Sequence, residues 1–387
     1  MGKWTLGLVG LVLLVSSCGQ SDSGVIVTRS DSAGVALVMN SGPDRGASWS
    51  LSLDYRLGGQ PSGPESFYQL YPRYVSVSPT GTIGVLNQQA FQASVFGPDG
   101  RLLRTYGDEG DGPGEFSFPS AIAVRPDGEV LVYDFRKRAL VRFTADGNVL
   151  DESRLTVPFN GVGMAGTRSG LLLLSDTRPR GDGEVTRRIL HLSPTDTVQL
   201  GPTVAGSSKT IYYSSCGGVR MSLPPLFSAD LVWASNGVRT AISPGPHYSV
   251  WMFDDTTLVN VVRRDIEPEA VTSEVAEREL GDGEAWGVAG QECVVPPHEV
   301  IEQRGYEAAV PVIEAVAVTP SGDLWVKRRS PGTSVRSLDV FDNEGQYIQT
   351  VTPSPPFPIG FLPDGRFVTI ETDSLEIQTL AVYAVEN

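Results

Sequence analysis

Histidine is almost missing from this 387-residue chain, which has three. A metal centre built on imidazoles needs several converging rings, and His191, His247 and His298 do not fall at equivalent strand positions. The stretch His298-Glu299-Val300-Ile301-Glu302 starts like a zinc-protease helix, but Glu302 stands where the second His is required. No G-x-S-x-G elbow is present; GTRSG at 166–170 puts Ser169 one position late. Cysteine stops at three, with no CxxC and no zinc spacing. Charged residues make up 19%, and helical runs of Glu, Lys, Leu and Ala are scarce. The net charge of −15 is dispersed along the chain, which argues against nucleic acid and against docking on anionic lipid. Its ordinary consequence is solubility. What the chain has in excess is turn formers, 43 Gly and 28 Pro, which favours many short strands.

The N-terminus reads as an address. Lys3, the apolar run Leu6 to Val15, and Ser16-Ser17-Cys18 make a secretory signal over 1–17, too short to span a membrane. Val15-Ser16-Ser17-Cys18 resembles the bacterial lipobox, which implies cleavage before Cys18 and lipid on its thiol and new amino group; the alternative is an ordinary signal with a chance Cys. More than one acyl chain gives stable anchoring. Residues 18–24 then form a lipid-anchored tether. Gly19 is not the Asp that marks inner-membrane retention in some bacteria, so the expected address is the outer membrane, facing the periplasm or the surface. Without residues 1–17 the chain has 29 basic and 45 acidic residues, a balance of −16. An oxidising compartment makes Cys216 and Cys293 a candidate disulfide; two buried thiols are the alternative.

The rest is a repeat. Phe118 to Gly147 holds three apolar runs, 121–124, 130–134 and 139–143, punctuated by Asp127-Gly128 and Asp146-Gly147, a hairpin signature. A first kind of turn recurs at Gly81, Gly128, Gly170, Gly237, Gly322 and Gly365, at intervals of 47, 42, 67, 85 and 43 residues. A second kind follows five of them, at 98–100, 145–147, 194–196, 254–256 and 343–345. Two hairpin turns per unit of about 42 residues mean four antiparallel strands, a propeller blade. The sixth unit lacks its last strand. Trp49 to Leu57 alternates apolar and polar residues and supplies a candidate. The expected fold is therefore all-β: a six-bladed β-propeller over 25–387, its four-stranded blades closed into a ring by an N-terminal strand. The blades are expected at 71–107, 118–155, 160–200, 225–264, 311–351, and 357–387 with 49–58. Val25 to Asn40 reads as a hairpin on the outer edge of blade six. Two inserts, 201–224 and 265–310, share one face, and the second holds the helix-like stretches 269–280 and 298–309.

Thr105 to Gly147 resembles an NHL repeat: a glycine-rich loop ending in G-x-F, then Pro, an apolar strand, a D-G turn, V-x-D, and an aromatic-led close. Gly63-Pro64-Glu65-Ser66-Phe67 and Val340 to Gly345 repeat parts of it. The chain also resembles bacterial lipoproteins described as six-bladed β-propellers, through Asp31 to Val35 (DSAGV) and the G-P-G-E-F loop. It departs from the NHL pattern at Lys137 and Ala139, and at Ala90 and Gln92, where Asn and Arg are usual.

The resemblance implies a fold more than a ligand. Propellers bind at the channel mouth, where Arg73, Tyr74, Asp134, Arg136, Lys137, Lys327 and Arg328 are expected, with Arg329 beside them. These basic groups suit an anionic ligand or a partner's carboxylates; pairing with neighbouring Asp and Glu is the plainer reading. Trp251 and Trp325 read as core. Asp108, Asp111 and Glu115 offer oxygens to calcium, without EF-hand spacing, and no catalytic residue and no cofactor is assigned. The leading expectation is a monomeric binding or scaffold protein for a protein, peptide or glycan, with the lipid as its only membrane contact. One alternative is a calcium-dependent, lactonase-like hydrolase or lyase at the channel mouth; another is a structural envelope protein.

Overall fold

The computed structural model describes residues 24–386, apart from 60–65, 68, 178–180 and 289–290. The signal segment 1–17, Cys18 and Gly63 to Glu65 lie outside the described residues. Six antiparallel sheets follow one another along the chain as blades. Blade two is the plainest, with strands Pro119–Val124, Val130–Asp134, Ala139–Phe143 and Val149–Arg154. Its first two strands are wholly buried and its fourth wholly exposed, so apolar residues concentrate toward the axis. The turn Asp127-Gly128 needs Gly because φ there is +85°. Between the third and fourth strands a register shift falls just before an aromatic residue in five blades, at Phe96, Phe143, Phe253, Phe341 and Tyr383. An extra residue at that place increases the local twist.

Apolar packing runs between blades. Six buried clusters each join two sequence-adjacent blades, and one of them joins blade six to blade one. That last cluster puts Leu57, Leu380 and Val382 against Val85 and Phe96. The ring is thus a six-bladed β-propeller. It is closed by β4 (Ser50–Gly58), which pairs antiparallel with Gln378–Glu386.

The N-terminal segment wraps three blades as a belt. β1 (Ile26–Ser32) and β2 (Val35–Ser41) form the expected hairpin, but on blade four rather than blade six. There β2 runs parallel to Thr257–Arg264. Buried Asn40 pins it: its amide nitrogen donates to the carbonyls of Arg263 (3.1 Å) and Gly345 (3.0 Å), and its oxygen accepts from the Tyr347 amide (2.8 Å). The chain then crosses blade five, where β3 (Gly46–Ala47) pairs with Tyr347–Val351, before β4 enters blade six.

The two inserts make a cap. The fourth strand of blade three does not stop near residue 200 but continues as Thr197–Tyr213, paired first with Gly183–Leu192 and then with Val219–Leu223. The second insert is α1 (Ser273–Leu280), a hairpin of Glu284–Val288 with Gln291–Val295, and α2 (Pro297–Arg304). Thr272 caps α1 by accepting from the Val275 amide. Ile211, Tyr213, Cys216, Val275, Val295 and Val300 share a separate apolar core. Cys216 and Cys293 are disulfide-bonded across it, closing a separation of 77 residues. A bridge over that span stabilises by about 4.5 kcal/mol in the chain-entropy account. Reduction is expected to loosen the cap before the ring. Limited proteolysis with and without dithiothreitol should cut first within 265–310; first cuts inside the blades would refute this.

Candidate functional site

The ring has two faces. One carries the tight turns within blades and is here the turn face. The other carries the connections between blades and the cap, and is the loop face. On the turn face, opposite blades meet at the axis. Gly237, with φ +82°, lies so close to Pro79 that a β-carbon would sit 2.5 Å from the proline ring. The Arg168 amide donates to the Gly237 carbonyl at 3.3 Å, and the Asn236 side chain donates to Thr319 O at 2.8 Å. What remains is an apolar space of about 200 Å³ lined by Val77, Pro79, Ala317, Pro320, Phe361 and Pro363.

The turn face also gathers a serine, a histidine and an aspartate. His191 Nε2 lies 3.1 Å from Thr167 Oγ1 and 3.0 Å from Ser169 Oγ. The Ser169 hydroxyl donates to the Asp255 carboxylate. That order differs from a catalytic triad, in which the acid holds Nδ1 and the serine proton goes to Nε2. Asp255 instead takes the serine proton itself and sits 3.8 Å from Nε2. Burial lowers the His191 pKa below 6.5, against the opposing pull of Asp255. The unfolded chain therefore takes up this proton at higher pH than the native one. The stability involved is fully present above pH 6.5 and is lost as pH falls through the folded value. Melting temperature is expected to fall more steeply below pH 6.5 in the wild type than in His191→Asn; parallel curves would refute it.

On the loop face the expected site residues divide by what their atoms touch. Asp134 is wholly buried. Its Oδ2 accepts from the amides of Ser117 (2.7 Å) and Phe118 (2.9 Å), and its Oδ1 from that of Lys137 (2.9 Å). Lys137 Nζ reaches Gly112 O (3.0 Å), Glu115 O (2.9 Å) and Glu152 Oε2 (3.1 Å). The ammonium thus fills the glycine-rich loop where a cation would sit. Glu115 turns its carboxylate to the Gly112 amide at 2.8 Å, and Asp111 accepts from the Ser117 hydroxyl. Among the described residues no group of three or more His, Cys, Asp or Glu converges as a metal site would.

Arg73 lies over the rings of Tyr71 and Tyr74 at 4.6 and 4.8 Å, and donates to the buried Tyr74 hydroxyl at 3.2 Å. Arg136 is exposed. Lys327 pairs with Glu314 (2.7 Å), Arg328 with Asp44 (2.6 Å) and Arg329 with Glu279 (2.5 Å). Trp325 is core, packed against Trp49, Phe361 and Phe367; Trp251 is half-buried beside blade three.

Two features escaped the sequence reading. Phe118 and Phe135 are exposed and meet edge to face at 6.1 Å, and Tyr71 is exposed near Arg73. A groove runs from the axis mouth to the cap. Its mouth, about 390 Å³, is lined by Asp230, Trp233, Ile313 and Glu314, and its cap end, about 400 Å³, by Phe227, Glu284 and Arg304. Ser228 and Arg329 line both. Polar residues outside the repeat pattern give no signal for such a groove.

Comparison with known proteins agrees with the ring and goes no further. Residues 74–173 match the family model DUF5128, described as a 6-bladed beta-propeller. No curated relative matches the sequence. Among solved structures, the chain is similar to the Bacteroides fragilis protein BF0058 at 12% identity and a TM-score of 0.47, covering 87% of this chain and 96% of that one. A streptogramin B lyase is similar at 10% identity and a TM-score of 0.38, covering 87% and 98%. A gluconolactonase from Xanthomonas campestris is similar at 15% identity and a TM-score of 0.29, covering 88% of each chain. At these values nothing about activity passes to this chain.

Proposed function

We propose that the protein is a binding or scaffold propeller of the bacterial envelope, presenting its loop face to a protein, peptide or glycan. The observation that carries this reading is the contrast between the faces. Turns of opposite blades meet on the axis of one, while the other offers a capped groove and an exposed rim of Tyr71, Phe118 and Phe135. Exposed aromatic rings are the usual anchors of recognition surfaces. Lys137, Lys327 and Arg328 are spent on loop backbone and on the carboxylates of Glu152, Glu314 and Asp44, which suits a scaffold better than a reacting centre. In this proposal the repeats are of NHL type, Cys18 bears the lipid, and the protein is a monomer held at the outer membrane with no bound cofactor.

A photo-crosslinking residue placed at Phe118 or Phe135 is expected to give a discrete adduct in intact cells, whereas one at Asp127 on the turn face gives none. Equal labelling from both faces, or none from either, would overturn the reading. Stoichiometric calcium in the purified protein, with chelator-sensitive turnover of a lactone, would replace it with the hydrolase alternative.

A further inference from the structure

Two arginines on the loop face hold a carboxylate that arrives from outside the ring. Arg264 ends the fourth strand of blade four, and Arg328 ends the second strand of blade five. Between them lies Asp339, which is wholly buried. It accepts from Arg264 Nη1 at 2.9 Å, from the Thr350 hydroxyl at 2.6 Å and from the Tyr248 hydroxyl at 2.8 Å, with Arg328 Nε at 3.7 Å. Burial, with Asp339 beside it, keeps the Tyr248 phenol protonated and so a donor.

One carboxylate facing two guanidiniums leaves one positive charge over. Asp44, in the belt between β2 and β3, neutralises it. Its Oδ1 lies 2.7 Å from Arg264 Nη2 and its Oδ2 lies 2.6 Å from Arg328 Nη2, one oxygen to each arginine. Burial pushes the Asp44 carboxyl up, but Arg328 and Arg264 together outweigh it and hold it below the usual range. The components differ in how they are held. The Arg264 side chain is 2% exposed and stacks 3.9 Å over the Tyr347 ring, whereas the Asp44 side chain is 44% exposed. The cations are fixed and the anion is the loose part. Arg264 also lines a cavity of about 500 Å³ with Met39, His247, Trp251, Arg263, Asp265 and Glu267.

We propose that Arg264 and Arg328 form a binding site for the carboxylate of a small monocarboxylic ligand, with Asp44 as its resident occupant and the adjoining cavity as room for the ligand's body. A pair of guanidiniums offering one donor to each oxygen is matched to a carboxylate rather than to a point charge. Beside Arg264 the cavity wall carries two carboxylates, Asp265 and Glu267, against one further cation, Arg263, a balance that opposes a second negative charge and favours a monoanion. Trp251 and His247 supply ring surfaces for an aromatic or apolar body. Entry of the ligand displaces Asp44 and frees the belt where it crosses from blade four to blade five. The site stands apart from the aromatic rim, so its failure leaves the reading of that rim untouched.

The test uses sodium benzoate on purified Asp44→Ala, with equal sodium chloride and neutral benzamide as controls. Asp44→Ala is expected to melt below the wild type. About 10 mM benzoate should raise its melting temperature by roughly 2 °C over chloride, as expected when a ligand binds only the folded form, and benzamide should not. Adding Arg328→Met should abolish the shift. Should Asp44→Ala not fold, the near-isosteric Asp44→Asn carries the same test. In the wild type, saturating benzoate should speed hydrogen exchange of the Arg45 amide, which donates to the Tyr347 hydroxyl at 2.8 Å. A benzoate shift no larger than chloride's, a shift that survives Arg328→Met, or unchanged Arg45 exchange would overturn the proposal.

Discussion

A chain lacking residues 24–58 is expected to lose cooperative unfolding altogether. Its last blade would end at Gln378–Glu386 with an open strand edge, because the eight residue pairs from Thr379–Gly58 to Glu386–Ser50 would be gone. Two interfaces lose contacts together. Leu57, 3% exposed, packs in the core between blades six and one, while Trp49 and Leu51 pack with Trp325 and Phe367 between five and six. Truncating Leu57 to Ala alone should cost about 2–4 kcal/mol, as for other buried leucines. Whole domains are stable by only about 5–15 kcal/mol, so losing the strand should unfold the ring. A synthetic peptide covering 46–58 should restore part of the transition when added to the truncated chain. Near-native, cooperative melting of the truncated chain alone would show that β4 is dispensable.

Asp339→Ala is expected to be the most damaging single change, costing about 3–5 kcal/mol in urea unfolding. It removes a carboxylate that faces two arginines and receives two hydroxyls, and leaves two cations with Asp44 as their one counter-charge. The loss falls on the joint between blades four and five, since Tyr248 and Arg264 belong to one and Asp339 and Thr350 to the other. Removing both ends of the pair, as in Arg264→Met with Asp339→Leu, should cost less than the two single changes added together, because no unpaired charge stays behind. A single-variant loss below about 1 kcal/mol would mean the charges are solvated in the native state.

The ring was legible in the sequence because its turns are chemical. Asp-Gly and Ser-Gly pairs mark hairpins at Gly100, Gly128, Gly147, Gly170, Gly322 and Gly365, and the alternation of Trp49 to Leu57 marks a strand with one buried face. Alternation identifies a face and not a neighbour, which is why the β1–β2 hairpin was readable while its place was not. Its position depends on Asn40 meeting the backbone at residues 263 and 345, contacts that no local pattern encodes. Strand length failed for a different reason. Gly201-Pro202 looks like an ending, yet the pairing passes from Ile189–Leu200 to Arg187–Val204 and takes up the proline in a bulge. Of the site residues, Asp134 and Lys137 were found by position after a strand. That position serves a loop cap as well as a ligand contact, and their atoms are committed to the loop. Asp44 gave no signal, because its partners lie 220 and 284 residues further along the chain.

The closing strand has a consequence for how the molecule comes to be made. β4 precedes blade one in the chain, and its partner Gln378–Glu386 is the last described strand, more than 300 residues later. Blades one to five can each pair locally as they emerge, but β4 must wait. Joining ends so far apart costs about 5 kcal/mol of loop entropy before any contact repays it. Ring closure should therefore be the slow, final event, with β4 and blade six both exposing unpaired edges in the interval. A chain delivered across a membrane unfolded would meet the same delay on the far side, where proteases or a holding chaperone have their best chance to act.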